Sequence, residues 1–138
     1  MQFPKISKQR PGGGRSVLFV EDDASYRYAL GKRLSDAGFQ VTDVADFRDA
    51  LRVIESDAPI DVLLCDIRMP QDTPHGFSIA RMALVRRPRL RVLFVTAFDV
   101  PASDGVPDSK ILSKAIGDDM ILLEVEEACA AAQTDRAG

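Results

Sequence analysis

Four separate stretches of the chain end on groups that could do chemistry. VLFVEDD runs from Val17 into Glu21, Asp22 and Asp23, and DVLLCD runs from Asp61 into Asp66. VLFVT ends on Thr96, and KILSK ends on Ser113 and Lys114. In each case an apolar run stops at a polar or charged residue. Carboxylates gathered in one place without a counter-charge repel one another and rise in pKa. Two remedies are available, the Lys114 ammonium and a divalent cation. Magnesium takes hard oxygen ligands, keeps several waters and binds one or two carboxylates plus a phosphate. Asp22 and Asp66 are the candidate direct ligands, Glu21 could act through water, and the backbone carbonyl of Arg68 could add another. Such a site would ready Asp66 to attack phosphorus, since aspartate is a covalent phosphate acceptor. Mg2+, the Lys114 ammonium and the Thr96 hydroxyl would each take part of the charge on the phosphoryl oxygens.

These residues need a scaffold that brings the ends of the apolar runs together. The runs at Val17–Val20, Val41–Val44, Asp61–Cys65, Val92–Val95 and Lys110–Ser113 read as strands. Three of them are nearly unbroken hydrophobic stretches, which suits parallel strands covered on both faces. Between them lie amphipathic stripes: Tyr26, Ala29, Leu30, Leu34; Phe47, Ala50, Leu51, Ile54; Ile79, Ala80, Ala83, Leu84; and Ile121, Val125, Ala128, Ala132. Each is read as a helix's core face and given no other role. Gly38 stands where a helix C-cap glycine belongs, and Pro88 stops the third stripe. Alternating β and α segments predict a doubly wound, flavodoxin-like α/β fold. Its five-stranded parallel sheet has order 2-1-3-4-5 with helices on both faces. Strands one and three are then neighbours, and ligands bind beyond the carboxyl ends of the strands at the switch point. The stretch FDVPASDGVPDS (98–109) holds two prolines, a glycine and little periodicity, so the fourth helix is expected to be short or absent.

With 138 residues, 46% hydrophobic and 28% charged, the chain reads as one ordinary globular domain. A net charge of −3 and scattered basic residues give no reason to expect nucleic-acid or membrane binding. Cys65, Cys129 and the lone His75 share no metal-ligand or redox spacing. Both cysteines are expected as buried reduced thiols, and His75 as an exposed loop residue. The N-terminus lacks the apolar core of a secretory signal and no stretch is long enough to span a bilayer, so a cytoplasmic location is expected. Residues 1–15, with Pro4, Pro11 and three glycines, read as a flexible lead-in, 16–133 as the domain and 134–138 as a flexible tail.

The chain resembles a response-regulator receiver domain of two-component signalling, from Ser16 to about Gln133. The resemblance rests on VLFVEDD, CDIRMP, VTA and SK in that order and spacing. It implies that Asp66 is phosphorylated by a partner histidine kinase or phosphotransfer protein. It implies that Glu21 and Asp22 organise magnesium, that Thr96 swings toward the phosphoryl group and that Lys114 binds it. Asp23 is open to two readings, a third pocket acid or the cap of the next helix. The chain also departs from the family pattern. Ala115 follows the lysine where proline is usual, and Ile111 stands where a switching aromatic is common. PQDTPHG is longer than the usual loop before Gly76, and FVTAF resembles in part a motif of single-domain receivers with a shortened fourth helix.

Taken singly, each site residue has a plainer reading. Asp22 and Asp23 could be a cap and a solvated acid, Asp66 a turn residue, Thr96 a strand-end hydroxyl and Lys114 a surface lysine. Phe98 could pack the core or cover the site. The coincidence at one sheet edge favours a phosphoacceptor switch acting through protein contacts on an unknown downstream target. As an enzyme, the chain is expected to do no more than Mg-dependent self-phosphorylation from a phosphodonor and autodephosphorylation. A magnesium-dependent phosphatase typically wants a second acid two positions after its nucleophile, where this chain has Arg68. A flavin or nucleotide binder wants a first loop that cradles phosphate, where this chain has three acids. A degenerate receiver working unphosphorylated is the remaining alternative.

Overall fold

The computed structural model describes residues 15–68, 76–97, 106 and 108–137, with residues 133–137 described by their backbone. Five strands, β1 (Ser16–Val20), β2 (Gln40–Val44), β3 (Val62–Asp66), β4 (Arg91–Thr96) and β5 (Lys110–Ser113), form one sheet. All neighbours are parallel, in the order 2-1-3-4-5. Among the described residues four α-helices accompany it: α1 (Ala24–Asp36), α2 (Phe47–Glu55), α3 (Gly76–Arg86) and α4 (Asp118–Ala137). A single 3-10 turn, Lys114–Ile116, joins β5 to α4.

Strand periodicity divides the core between the two faces. Leu18 and Val20 of β1, Leu63 and Cys65 of β3 and Phe94 of β4 point to the side covered by α2 and α3. Val17 and Phe19, Val62 and Leu64, and Leu93 and Val95 point to the side covered by α1 and α4. Both cysteines are free and buried, as expected from the sequence. β1 and β3 are buried at every position because a helix covers each of their faces.

Local chemistry sets the ends of the elements. Asp23 caps α1 by accepting the N–H groups of Ser25 and Tyr26 at 3.0 and 3.2 Å, which leaves the cap reading of Asp23 standing. At the other end Gly38 has φ +101°, and the N–H groups of Gly38 and Phe39 donate to Ser35 and Leu34. That is a Schellman closure, formed at the glycine read as the helix C-cap. α2 ends without a glycine. Arg87, just beyond α3, supplies the missing donors instead: Nε to Ile54 O at 3.1 Å, Nη1 to Ala58 O at 2.7 Å and Nη2 to Ser56 O at 2.6 Å. Arg87→Ala is therefore expected to cost about 2 kcal/mol, read as a lower urea midpoint with an unchanged slope.

Several sequence readings need correction. β3 starts at Val62 and includes Asp66, because Asp61 exchanges bonds with Ser16: its N–H donates to Ser16 O at 2.8 Å and its Oδ2 accepts the Ser16 N–H at 3.0 Å. Ala29 is exposed, and the inward face of α1 centres on Leu30, Gly31 and Leu34. One methyl group carries too little apolar area to set a helix's rotation. Arg15, read as part of the lead-in, is held: its guanidinium lies 4.2 Å from the Phe39 ring centroid and pairs with Glu126 at 2.8 Å. α4 runs on past the expected boundary at Gln133 to Ala137, since residues 134–137 contain no helix breaker. The lead-in up to Gly14, Pro70, the rest of the loop to His75, Phe98 and most of the stretch read as a lost helix lie outside the described residues. No helix among the described residues is long and apolar enough to cross a membrane.

Candidate functional site

The parallel order brings the carboxyl ends of β1, β3, β4 and β5 side by side. Glu21 leaves β1 at the sheet edge and is 0% exposed. Its N–H donates to Val44 O at 3.0 Å, and its carbonyl accepts from Arg27 Nη1 at 2.8 Å. Its Oε2 accepts the Asp23 N–H at 3.1 Å. Its Oε1 faces Lys114 Nζ at 3.1 Å without a well-aligned hydrogen bond. Asp22, the next residue, is exposed, so its carboxylate borders solvent.

Asp66 is the last residue of β3 and is 6% exposed. Its Oδ1 accepts the Arg68 N–H at 3.2 Å, and its Oδ2 lies 3.7 Å from Lys114 Nζ. Thr96, buried, ends β4 one residue beyond Val95, which stands opposite Asp66 in the ladder. Lys114 follows β5 on the 3-10 turn, whose start is capped by Ser113 Oγ accepting the Ala115 N–H at 3.0 Å. The Lys114–Ala115 peptide is trans. Every residue read as part of the site therefore reaches this end of the sheet. Arg68 is placed just past Asp66, with its N–H already engaged.

Two contributors were not legible in the chain. Tyr26 was read as a core position, yet its ring lies 4.3 Å from Lys114 Nζ. Its place three residues after the capping Asp23 is the one local signal, since the first turn of a helix leaving β1 must pass over the strand ends. Arg27 was given no role. Besides bonding the Glu21 carbonyl, its Nε lies 3.8 Å from Asp43 Oδ2, tying the exit of β1 to β2.

The family model for the response regulator receiver domain matches residues 17–107, well over half of the chain. The chain belongs to the response-regulator receiver family. It is 34% identical over 122 residues to the response regulator receiver protein CpdR of Brucella abortus, a match covering 86% of this chain and 99% of that one. Among solved structures, a response regulator receiver protein from Sinorhizobium medicae is 32% identical, with a TM-score of 0.78 over 85% of this chain and 95% of that one. The receiver domain of the hybrid histidine kinase CckA is 25% identical, with a TM-score of 0.71 over 83% of this chain and 98% of that one. Within this receiver, Ile111 of β5 is half-buried against the α2/α3 side of the core.

Electrostatics tests whether this receiver's pocket fits a cation. Carboxylate oxygens of Glu21, Asp22 and Asp66 lie within 4.8 Å of one another. Burial, then the neighbouring Asp66 charge, pushes the Glu21 carboxyl up to about 7. Burial raises Asp66 as well, against the opposing pull of Lys114. Among the described residues the Lys114 ammonium faces both Glu21 and Asp66, and burial favours the protonated form of Glu21. Hard oxygen donors at this spacing, one bordering solvent and short of positive charge, fit a magnesium ion. Cys65, immediately before Asp66, is no competitor for this role: full burial raises its thiol far above neutrality.

Proposed function

We propose that this receiver is a phosphoacceptor switch, loaded on Asp66 by a histidine kinase or phosphotransfer protein and acting in the cytoplasm through contacts with a downstream protein. The observation that carries the reading is the convergence on Lys114: one ammonium, 3.1 Å from buried Glu21 and 3.7 Å from Asp66 Oδ2. An Asp66 carboxylate oxygen attacks the donor's phosphorus. A new O–P bond forms as the bond from phosphorus to the donor breaks, and the donor leaves with that electron pair. Lys114 takes up negative charge on the phosphoryl oxygens, and the Thr96 hydroxyl donates to one of them. Bound magnesium, held by Asp22, Asp66 and the Arg68 carbonyl with Glu21 behind it, would neutralise the remaining phosphoryl charge. Phosphorylation would then shift an equilibrium between two surface states of the protein. No turnover beyond loading and hydrolysis of the acyl phosphate is assigned to it.

The test is intact mass after incubation with acetyl phosphate and magnesium, alongside Asp66→Asn. A single phosphate adduct is expected on the wild type, absent from Asp66→Asn and absent with chelator. An unmodified wild type would overturn the reading in favour of a receiver that works unphosphorylated.

A further inference from the structure

We propose that Tyr26 is the positioning residue for Lys114, its aromatic face holding the ammonium between Glu21 and Asp66. The contact is cation–π: Nζ stands 4.3 Å from the ring centroid, well inside the range of such attraction. The ring has an aromatic neighbour, and the Tyr26 backbone is fixed at the helix cap. The ring meets Phe19 edge-on at 6.4 Å and 70°, and the Tyr26 N–H is bonded to the capping Asp23. The hydroxyl is not what places it there. Tyr26 Oη is buried and has no hydrogen-bond partner among the described residues, so it lowers stability where it sits. What the position uses is the face of the ring.

The 3-10 turn and its Ser113 cap fix the Lys114 backbone, but they leave the long side chain free to swing. The Lys114 side chain is 19% exposed, so solvent competes for its ammonium. The two carboxylates attract the ammonium, but the charge of one changes during the proposed reaction. Once Asp66 carries a phosphoryl group it is an acyl phosphate, and the attracting charge has moved outward. The ring's attraction is unaltered by that change. It confines Nζ to an arc over the ring from which Glu21 and the end of β3 are both in reach. The reaction step in this inference rests on the phosphoacceptor reading; the contact itself does not.

Three variants separate the outcomes. Tyr26→Leu removes the ring and keeps apolar volume, Tyr26→Met is a second such change should the first fail to fold, and Tyr26→Phe keeps the face and deletes the stranded hydroxyl. The first readout uses neither phosphodonor nor metal. The Lys114 ε-methylene protons, assigned by their loss in Lys114→Arg, are expected at unusually high field in the wild type and in Tyr26→Phe. They should return to ordinary lysine positions in Tyr26→Leu or Tyr26→Met. The second readout is the rate of adduct formation from acetyl phosphate with magnesium. It should fall roughly fivefold in Tyr26→Leu and recover in Tyr26→Phe. An ordinary Lys114 shift in the wild type, or a high-field shift that survives Tyr26→Leu, overturns the contact. A Tyr26→Phe as slow as Tyr26→Leu overturns the role of the ring. A wild type that shows the shift but takes no phosphate instead counts against the phosphoacceptor reading, with Tyr26 still holding Lys114.

Discussion

Without divalent cations, the folded protein is expected to lose about 3 kcal/mol of stability between pH 5 and pH 8. Glu21 is the main cause. In the unfolded chain its carboxyl titrates near 4.5, and in the folded protein burial and the Asp66 charge raise it to about 7. A raised carboxyl binds more protons in the folded state over that interval. Its contribution is complete below about 4.5 and is lost as pH rises through about 7. At about 1.4 kcal/mol per pH unit, the roughly two units from pH 5 to the folded value of about 7 give the magnitude stated. The raised Asp66 carboxyl works in the same direction. Magnesium should reverse the trend, because a cation among the three carboxylates favours their charged forms. Urea midpoints at pH 5.5 and pH 8.0, each with chelator and with millimolar magnesium, provide the check. Equal midpoints in chelator would mean that Lys114 alone suffices to keep Glu21 ionised in the fold.

Gly76→Ala is expected to destabilise by roughly 3 kcal/mol or more and to displace Asp66. The first residue of α3 packs directly onto the chain just after β3: its N–H donates to Ile67 O at 3.0 Å. A Cβ on Gly76 would sit 2.2 Å from the Asp66 carbonyl oxygen and 3.0 Å from both the Asp66 carbonyl carbon and the Ile67 Cα. All three obstacles are backbone, so no rotamer change relieves them. Either α3 withdraws or the end of β3 moves, and both disturb the carboxylate that Lys114 and the Arg68 N–H now hold. The expected readout is a large fall in urea midpoint, together with a rate of phosphorylation by acetyl phosphate at least tenfold lower in the protein that still folds. A variant with wild-type stability would show that the close approach of α3 to β3 is not obligatory.

The residues that gather at the sheet edge were readable from local pattern. Glu21, Asp66, Thr96 and Lys114 each end an apolar run, and a buried parallel strand must be apolar along its length but can present any side chain at its mouth. Once β1 and β3 are neighbours, their terminal acids converge, and the order 2-1-3-4-5 follows from alternating segments and handed crossovers. Gly38 was readable for the same reason, since helix ends repeat a few solutions. What the sequence by itself determined was therefore the fold, the edge at which the chemistry gathers and the residue types found there.

Other features depended on contacts between distant parts of the chain. Tyr26 and Ala29 stood alike in one apolar stripe, yet one lies against Lys114 on the turn after β5 and the other faces water. Their difference comes from the rotation of α1 on the sheet, decided by Leu30 and Leu34 packing beneath it. Arg87 reads as one arginine among several, and only the docking of α3 beside α2 turns it into a clamp on four carbonyls. The requirement for glycine at 76 arises from a backbone meeting a backbone, which leaves no periodicity to read. Hydrophobic pattern reports which side of an element is buried. It carries no record of the neighbour met there, and at this site the neighbours decide the charge balance and hold the ammonium in place.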